Sequence, residues 1–334
     1  MKNTPETDLS FPRLGVIEAL SLGYNQLLRF WEVLLVPIIL DLFFWLGPQM
    51  SFRETLRAIV RQLPPETATL FRQMQGVSPT ELVNSLPDVN MLTILTQVPG
   101  GPLPLTATLG GLPRPIGWDV PSWAPTSWVG LIGVLVVLPL LGTPIAGIYQ
   151  GLASRPLFES GRWGTRALWT GLQLFLLVAV LILLVGLSIL VSSVLLAFSY
   201  MIHPGLMGFG LVLLLGAGTG AMVMGTLLFY FTPASIVLYG DHAGIALVRS
   251  ARVVTANLGS SMGFILLTLL ISHGFAYIWM ALATTFAGIL VSILGNAVLT
   301  AGLTIGGLYF FHNRHQLLRM AQEKTHRSET QGGR

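Results

Sequence analysis

Cysteine is absent from this chain of 334 residues. Its absence excludes disulfides, thiolate metal sites, cysteine-ligated iron–sulfur centres and cysteine nucleophiles. Charge is also scarce, because charged residues make up 10% of the chain, against about 25% in an ordinary soluble domain. Hydrophobic residues make up 53%, and the mean hydropathy is +0.73. The composition therefore predicts a membrane protein and argues against a cytosolic enzyme, a nucleic-acid binder or a disordered scaffold.

Six apolar stretches are long enough, or nearly so, to cross a bilayer core, which needs about 20 residues per helix. They lie at residues 30–46, 128–150, 169–198, 206–231, 261–282 and 286–311. The sequence therefore predicts an all-α fold, a polytopic six-helix transmembrane bundle with amphipathic interfacial helices.

The segments around these spans complete the predicted organisation. Residues 1–29 form a cytoplasmic amphipathic helix that leads into the first span, 30–46, and residues 47–127 form an extracytoplasmic loop. A five-span bundle, 128–311, follows, and within it residues 241–258 read as a cytoplasmic amphipathic helix with Asp241 as its N-cap. The chain ends in a basic cytoplasmic tail, 312–334.

Arginine and lysine are distributed unevenly between the two sides of such a bundle. If both termini are cytoplasmic, the inner segments hold Lys2, Arg13, Arg29, Arg155, Arg162, Arg166, Arg249, Arg252, Arg314, Arg319, Lys324, Arg327 and Arg334. The outer side holds Arg53, Arg57, Arg61, Arg72 and Arg114, all in one long loop. The positive-inside rule therefore predicts a cell (inner) membrane protein with both termini in the cytoplasm.

The long loop contains two helical patterns followed by a segment rich in proline and tryptophan. Apolar and basic residues alternate with helical spacing from Phe52 to Leu63, and Ser78-Pro79-Thr80-Glu81 has the pattern of a capping box. Prolines and glycines recur from Val98 to Pro125, interleaved with tryptophans. We expect this last part to be extended along the lipid headgroups, or else to dock a partner.

Three polar residues fall near the middle of predicted spans. Asp41, His273 and Asn296 are at comparable depths, and an ionisable group there costs about 2.5–3.5 kcal/mol unless it faces the bundle or water. They are a candidate intramembrane cluster. Such a cluster could carry protons or bind a cation, or it could fix the register of the helices through hydrogen bonds.

Small residues spaced four apart predict close helix packing. The fourth span contains Gly216 and Gly220, and the sixth contains Gly302 and Gly306. This spacing lets two helix backbones approach closely in a membrane. Pro37 in the first span is expected to kink that helix.

Motifs for phosphate-binding loops, zinc proteases and serine hydrolases are missing from the sequence. His312 and His315 share one helix face, but no third ligand is evident nearby, so a solvated pair is favoured over a metal site. The sequence thus predicts no catalytic residues, no cofactor, no metal, no nucleic-acid partner and no enzymatic activity.

Residues 231–315 resemble the membrane domain attached to some glycerophosphoryl diester phosphodiesterases. The resemblance rests on Phe231-Thr-Pro-Ala-Ser-Ile-Val-Leu-Tyr-Gly, on Gly244-Ile-Ala-Leu-Val-Arg-Ser-Ala-Arg-Val-Val-Thr-Ala-Asn and on the Glu18-Ala-Leu-Ser-Leu-Gly23 segment. It implies an all-helical polytopic module of the kind found in poorly characterised bacterial six-span proteins. It supplies no catalytic residues, since a phosphodiesterase domain is missing from this chain.

A second resemblance is to the coupling loop of ATP-driven import permeases. Glu18-Ala-Leu, Gly23 and Val36-Pro37 match it in part, but here the pattern precedes the first span instead of lying late in the chain. The leading functional hypothesis is a non-enzymatic membrane module or assembly subunit, with the lipid bilayer and a protein subunit as partners. The alternative is a transporter or permease subunit that uses the polar cluster.

Overall fold

The structure is a computed structural model, and it describes residues 13–109, 112–113, 121–158, 163–202 and 204–332. Several residues used in the charge and aromatic predictions lie outside the described residues: Lys2, Arg114, Trp118, Arg162 and Arg334. The first 12 residues of the predicted N-terminal segment and the last two of the predicted tail also lie outside them.

Helices dominate the described chain. The α-helices are α1 Val16–Leu27, α2 Leu35–Leu46, α3 Phe52–Val60, α4 Pro65–Gln75, α5 Pro79–Ser85, α6 Leu105–Leu109, α7 Trp128–Ala153, α8 Trp163–Ile202, α9 Pro204–Phe229, α10 Thr232–Tyr239, α11 Ala243–Ala256, α12 Leu258–Leu282 and α13 Phe286–Gly332. Short 3-10 helices cover Trp31–Leu34, Met91–Thr96 and Arg155–Leu157. Two strands, β1 Gln49–Met50 and β2 Ser122–Trp123, pair in parallel. The predicted all-α class is confirmed.

Five helical stretches among the described residues are long and apolar enough to cross a membrane: Trp128–Ala153, Trp163–Ser199, Val212–Tyr239, Leu258–Leu282 and Phe286–Lys324. The predicted first span does not form one such helix. Residues Trp31–Leu34 are a 3-10 turn, and α2 has 12 residues, or about 18 Å. Pro37 lies in the first turn of α2, where proline is tolerated, so the chain breaks before it instead of kinking around it. The six-span prediction is not confirmed.

Helix α1 packs antiparallel against the second half of α13. Leu14 N donates to Asn313 Oδ1 (3.1 Å), and Tyr24 Oη donates to the Leu299 carbonyl (3.2 Å). We call the end of the bundle where Leu14 meets Asn313 the proximal end, and the opposite end, where α2 finishes, the distal end. The first described residues and the end of the apolar part of α13 therefore lie at one end of the bundle.

Glycines make the contact between α1 and α13 possible. A β-carbon at Gly23 would lie 2.5 Å from the backbone nitrogen of Gly306 and would also collide with the Gly302 carbonyl. A β-carbon at Gly302 would collide with the ring of Tyr24. Gly302 and Gly306 thus lie at a close helix contact, although the partner is α1 and not another long span.

Helices α7 and α8 cross in the same way near the proximal end. A β-carbon at Gly147 would lie 2.5 Å from the Ala167 carbonyl oxygen and 2.6 Å from the α-carbon of Gly171. The Cα hydrogens of glycine let the two backbones touch, which a larger side chain would prevent. Beyond Val178, most of the apolar side chains of α8 are exposed.

Helix α9 returns beside α8, and its glycine face is open. Among the residues that the structure describes, no atom lies within 4 Å of the β-carbon positions of Gly216, Gly218 and Gly220. The close packing predicted for Gly216 and Gly220 therefore has no partner within the described chain. The physical reason is that α9 lies at the edge of the bundle, so its small-residue face is turned to the surroundings.

The largest apolar core lies at the proximal end and is built around aromatic rings. Phe231 stacks with Phe310 and Phe311 at centroid distances of 5.7 and 5.5 Å, and Phe264 stacks with Phe310 at 4.7 Å. Each of these four side chains is at most 2% exposed. Offset aromatic stacking adds stability beyond the area buried, and here it holds α10, α12 and α13 together.

We expect Gly23→Ala to destabilise the protein, because its β-carbon would overlap the backbone of α13. Overpacking of this kind costs about 1–3 kcal/mol. Thermal unfolding in detergent, followed by loss of monodisperse protein, measures the change. Gly216→Ala is the matched control, since its β-carbon meets nothing, and it should be neutral or mildly stabilising through helix propensity. Equal melting temperatures for the two variants would contradict the α1–α13 contact.

Candidate functional site: a hairpin bound inside the bundle by Asp41

Residues 91–100 descend alongside α7 from the distal end towards the proximal end. Met91 packs with Leu131 and Leu138 of α7. Further along, the Leu95 carbonyl lies so close to Gly142 that a β-carbon there would collide with it. Val98 then joins the buried cluster that contains Ala146 of α7. The loop thus follows α7 as the helix itself runs towards the proximal end.

The chain reverses at Gly100, beside the last turns of α7. Gly100 has φ +72°, and Gly101 N donates to the Val98 carbonyl (2.9 Å), which closes a tight turn. Gln150 Nε2 donates to the Gly100 carbonyl (2.8 Å). A β-carbon at Gly100 would lie 2.6 Å from Cβ of Pro233. Glycine is required here both by the left-handed backbone and by the close approach of α10.

The return arm, residues 101–109, is fastened to α13 and α2. Asn296 Nδ2 donates to the Leu103 carbonyl (2.9 Å). Leu105 packs with Trp45 of α2 and Ile293 of α13, and Trp45 Nε1 donates to the Pro113 carbonyl (2.9 Å). We call residues 91–109 the re-entrant hairpin. The expectation that the proline-rich segment is extended along the headgroups is wrong for residues 98–109, because they are folded between the helices.

Asp41 is the main anchor of the re-entrant hairpin. Its Oδ2 accepts a hydrogen bond from Leu105 N (2.9 Å), and its Oδ1 accepts from Thr106 N (2.9 Å) and Thr106 Oγ1 (3.0 Å). The side chain is 0% exposed. These donors are the first amides of α6, which have no partner within that helix, so each side satisfies the other. No ion pair to Asp41 occurs within the described ranges.

The predicted three-residue cluster does not form. Asp41 and Asn296 both bind the return arm of the re-entrant hairpin, from α2 and α13 respectively. His273 lies elsewhere, with its side chain exposed on α12 and its Nδ1 3.0 Å from the Leu269 carbonyl of the same helix. Similar depth along the spans correctly predicted that Asp41 and Asn296 lie at one site. It failed for His273, because depth along a helix does not determine which face of the helix a residue occupies.

A polar cleft lies at the distal end of the re-entrant hairpin. It contains about 300 Å³ of empty space, with the solvent at its mouth included, and is lined by Phe44, Trp45, Gln49, Asp88, Asn90, Thr93, Thr106 and Leu112. Thr106 joins this cleft to Asp41, because its hydroxyl donates to the carboxylate. The arrangement can hold water near the carboxylate, but the oxygens of Asp41 are already occupied by the hairpin. Within the part of the chain described, no group of three metal-ligating side chains occurs.

The residues that hold the hairpin were missed by sequence reasoning, apart from Asp41 and Asn296. Gln150, Gly142 and Pro233 contact it, yet each looked like an ordinary residue of a span or a turn. One signal was available, since no charged residue occurs between Asp88 and Arg114. A long uncharged segment in an otherwise polar loop is typical of backbone that is buried within a membrane protein.

Comparison with known proteins found no match for this chain among family models, curated proteins or solved structures.

We expect Asp41→Asn to loosen the re-entrant hairpin, because an amide can no longer offer acceptors to both backbone donors. An unpaired buried donor costs about 1–3 kcal/mol, which would raise the open population roughly tenfold. Since the chain has no cysteine, a single Thr96→Cys reporter can measure opening by its rate of maleimide labelling; Thr96 is 1% exposed. His273→Gln is the control and should leave the rate unchanged. Equal labelling in both variants would rule out Asp41 as the anchor.

Proposed function

We propose that this multi-pass membrane protein is a non-enzymatic membrane module, an assembly subunit of the cell membrane. The observation that carries the proposal is the open glycine face of α9. No atom of the described chain lies within 4 Å of the β-carbon positions of Gly216 and Gly220, whereas Gly23, Gly147 and Gly302 each meet a neighbouring helix. Small residues on an uncovered helix face in a bilayer favour association with another transmembrane helix.

The surroundings of Asp41 support this hypothesis over the transport alternative. A transport site needs a polar group that a substrate or ion can reach and leave. Both oxygens of Asp41 accept hydrogen bonds from the protein itself, and His273 is not part of the site. The group therefore has the geometry of a structural anchor for the re-entrant hairpin.

The resemblance of residues 231–315 to a phosphodiesterase-linked membrane domain agrees with the same proposal. This region corresponds to α10, α11, α12 and the apolar part of α13, which form the proximal core together with α1. A membrane domain of this type works alongside a separate soluble domain or subunit. We therefore propose that the present chain serves a protein partner and does no chemistry of its own.

We propose six crossings with both termini in the cytoplasm, the first crossing being made in pieces. Helix α1, the 3-10 turn at Trp31–Leu34 and α2 run in succession along α13, from Asn313 to the neighbourhood of Ile289. About 36 Å of α13 separates those two residues, enough to cover a hydrocarbon core of about 30 Å. The excess of arginine at the proximal end favours the cytoplasm for that end.

Single cysteines in the cysteine-free chain test this topology. We expect Arg319→Cys, at the proximal end, to react with a membrane-impermeant maleimide only after the cells are permeabilised. Arg61→Cys, beyond α3 at the distal end, should react in intact cells. Both residues are exposed, so their labelling reports on the compartment and not on burial. Labelling of both cysteines from the same side would overturn the proposed crossing.

A larger side chain on α9 tests the assembly hypothesis. We expect the protein mass in each native polymer nanodisc, after lipid and polymer are subtracted, to exceed the 36.1 kDa of a single chain. Gly220→Leu should reduce that assembly to the single chain without lowering its melting temperature, because the leucine fills the open face. Gly274→Leu on α12 is a matched control, since Gly274 also faces open space. A wild-type protein that is already a single chain would contradict the proposal.

A further inference from the structure

A cluster of cationic and aromatic side chains lies at the proximal end, where α10, α11 and α13 meet. Tyr239 ends α10, Arg249 lies on α11, and His312, His315 and Arg319 lie on α13. The cluster is separate from the re-entrant hairpin and from the α9 face. We call these five residues the basic cluster.

Tyr239 organises the basic cluster. The Arg249 guanidinium lies over its ring at 4.5 Å from the centroid, and the His315 ring meets it edge-on at 4.7 Å. The Tyr239 hydroxyl lies 3.1 Å from Nδ1 of His312. A guanidinium stacked on an aromatic face is held in one orientation while its N–H groups stay available around the edge.

Positive charge exceeds negative charge in the basic cluster. Asp241 is the acid paired with it, with Oδ2 3.0 Å from Nη1 of Arg249 but without the angles of a hydrogen bond. The same carboxylate oxygen already accepts a short hydrogen bond from Ser235 Oγ (2.6 Å). Arg319 is exposed and follows His315 by one turn of α13, so the two side chains lie on the same face of that helix. The basic cluster thus holds two arginines and one paired carboxylate, and Nη1 of Arg249 makes an ion pair with Asp241 but no hydrogen bond.

The neighbouring Arg166 is an arginine that caps the end of a helix. Its Nη1 donates to the carbonyls of Val237 (3.3 Å) and Leu238 (3.4 Å), at the C-terminal end of α10. The negative end of the helix dipole accounts for this position. Neither Arg249 nor Arg319 donates such a hydrogen bond to a carbonyl among the described contacts, so helix capping does not explain them.

The depth of the basic cluster matches that of lipid phosphates. At about 1.5 Å per residue, His312 lies about 39 Å along α13 from Phe286. This places it just beyond a hydrocarbon core of about 30 Å, within the headgroup region. Arginine forks bind phosphate oxygens in pairs, and basic pockets between helices at this depth bind anionic headgroups.

We propose that the basic cluster binds a phosphate group at the membrane interface, supplied by the headgroup of an anionic lipid. Arg249 and Arg319 bind the phosphate oxygens, and His312 and His315 donate from the α13 side. Tyr239 is the positioning residue that holds the Arg249 guanidinium against the site. The wild-type protein should therefore retain phosphatidylglycerol in preference to phosphatidylcholine.

Native mass spectrometry of the full-length detergent-purified protein, with a measured amount of each lipid added, tests this site. We expect Arg319→Gln and His315→Gln each to lower the retention of phosphatidylglycerol, by about fivefold for the arginine. Arg61→Gln is the matched control: it removes one positive charge from an exposed residue at the distal end and should change nothing. The melting temperature of each variant shows whether it is folded.

The other outcomes decide against the proposal or against the lipid as the source. Equal retention of the two lipids by the wild-type protein, or an equal loss in Arg61→Gln, would overturn it. A second experiment, with inorganic phosphate in place of lipid, tests the source of the phosphate group. If phosphate alone raises the melting temperature, and Arg319→Gln abolishes this rise while phosphatidylglycerol retention stays unchanged, the site binds free phosphate and the lipid assignment is wrong.

Discussion

A carboxylate placed among apolar helices has to be paired, and here the partner is the backbone of a loop. The carboxylate of Asp41 accepts hydrogen bonds from the first amides of α6. These hydrogen bonds hold the non-helical backbone before α6 inside the bundle. Irregular backbone is tolerated at that depth only when it is buried in protein. Each element would be costly alone, so the carboxylate and the re-entrant hairpin stabilise each other, and the rest of the bundle closes around them.

Glycine sets how closely the other elements approach. Gly142 allows residues 91–100 of the re-entrant hairpin to pack directly on α7. In the same way, Gly147 allows α7 to pack closely on α8, and Gly23 allows α1 to pack closely on α13. In a bilayer the apolar side chains gain little from leaving lipid, so backbone approach and hydrogen bonds contribute most to helix association. The open glycines of α9 have the same chemistry without a partner in the described chain, and the proposed assembly partner would cover them.

Sequence patterns predicted the elements whose causes are local. The predicted capping box forms between Ser78 and Glu81. Asp241, the expected N-cap of α11, instead binds Ser235 and Arg249, and His242 takes the N-cap position. The apolar runs likewise predicted most of the long helices, because length and hydropathy are properties of the segment itself.

The candidate site was only partly predictable because its contacts join distant parts of the chain. Depth along a span identified Asp41 and Asn296 as costly polar residues, but the groups that satisfy them lie in a loop that composition assigned to the headgroups. The sequence around Gln150 and around Pro233 does not show that the turn at Gly100 contacts these residues.

The re-entrant hairpin also connects the two ends of the molecule. Its mouth is the polar cleft at the distal end, its middle is held by Asp41, and its tip at Gly100 touches Pro233 in the first turn of α10. The same short helix ends at Tyr239, which positions the basic cluster at the proximal end. Since α10 is eight residues long and buried for most of its length, it has little freedom to move without its neighbours. The depth of the hairpin and the placement of Tyr239 are therefore constrained together by one rigid helix.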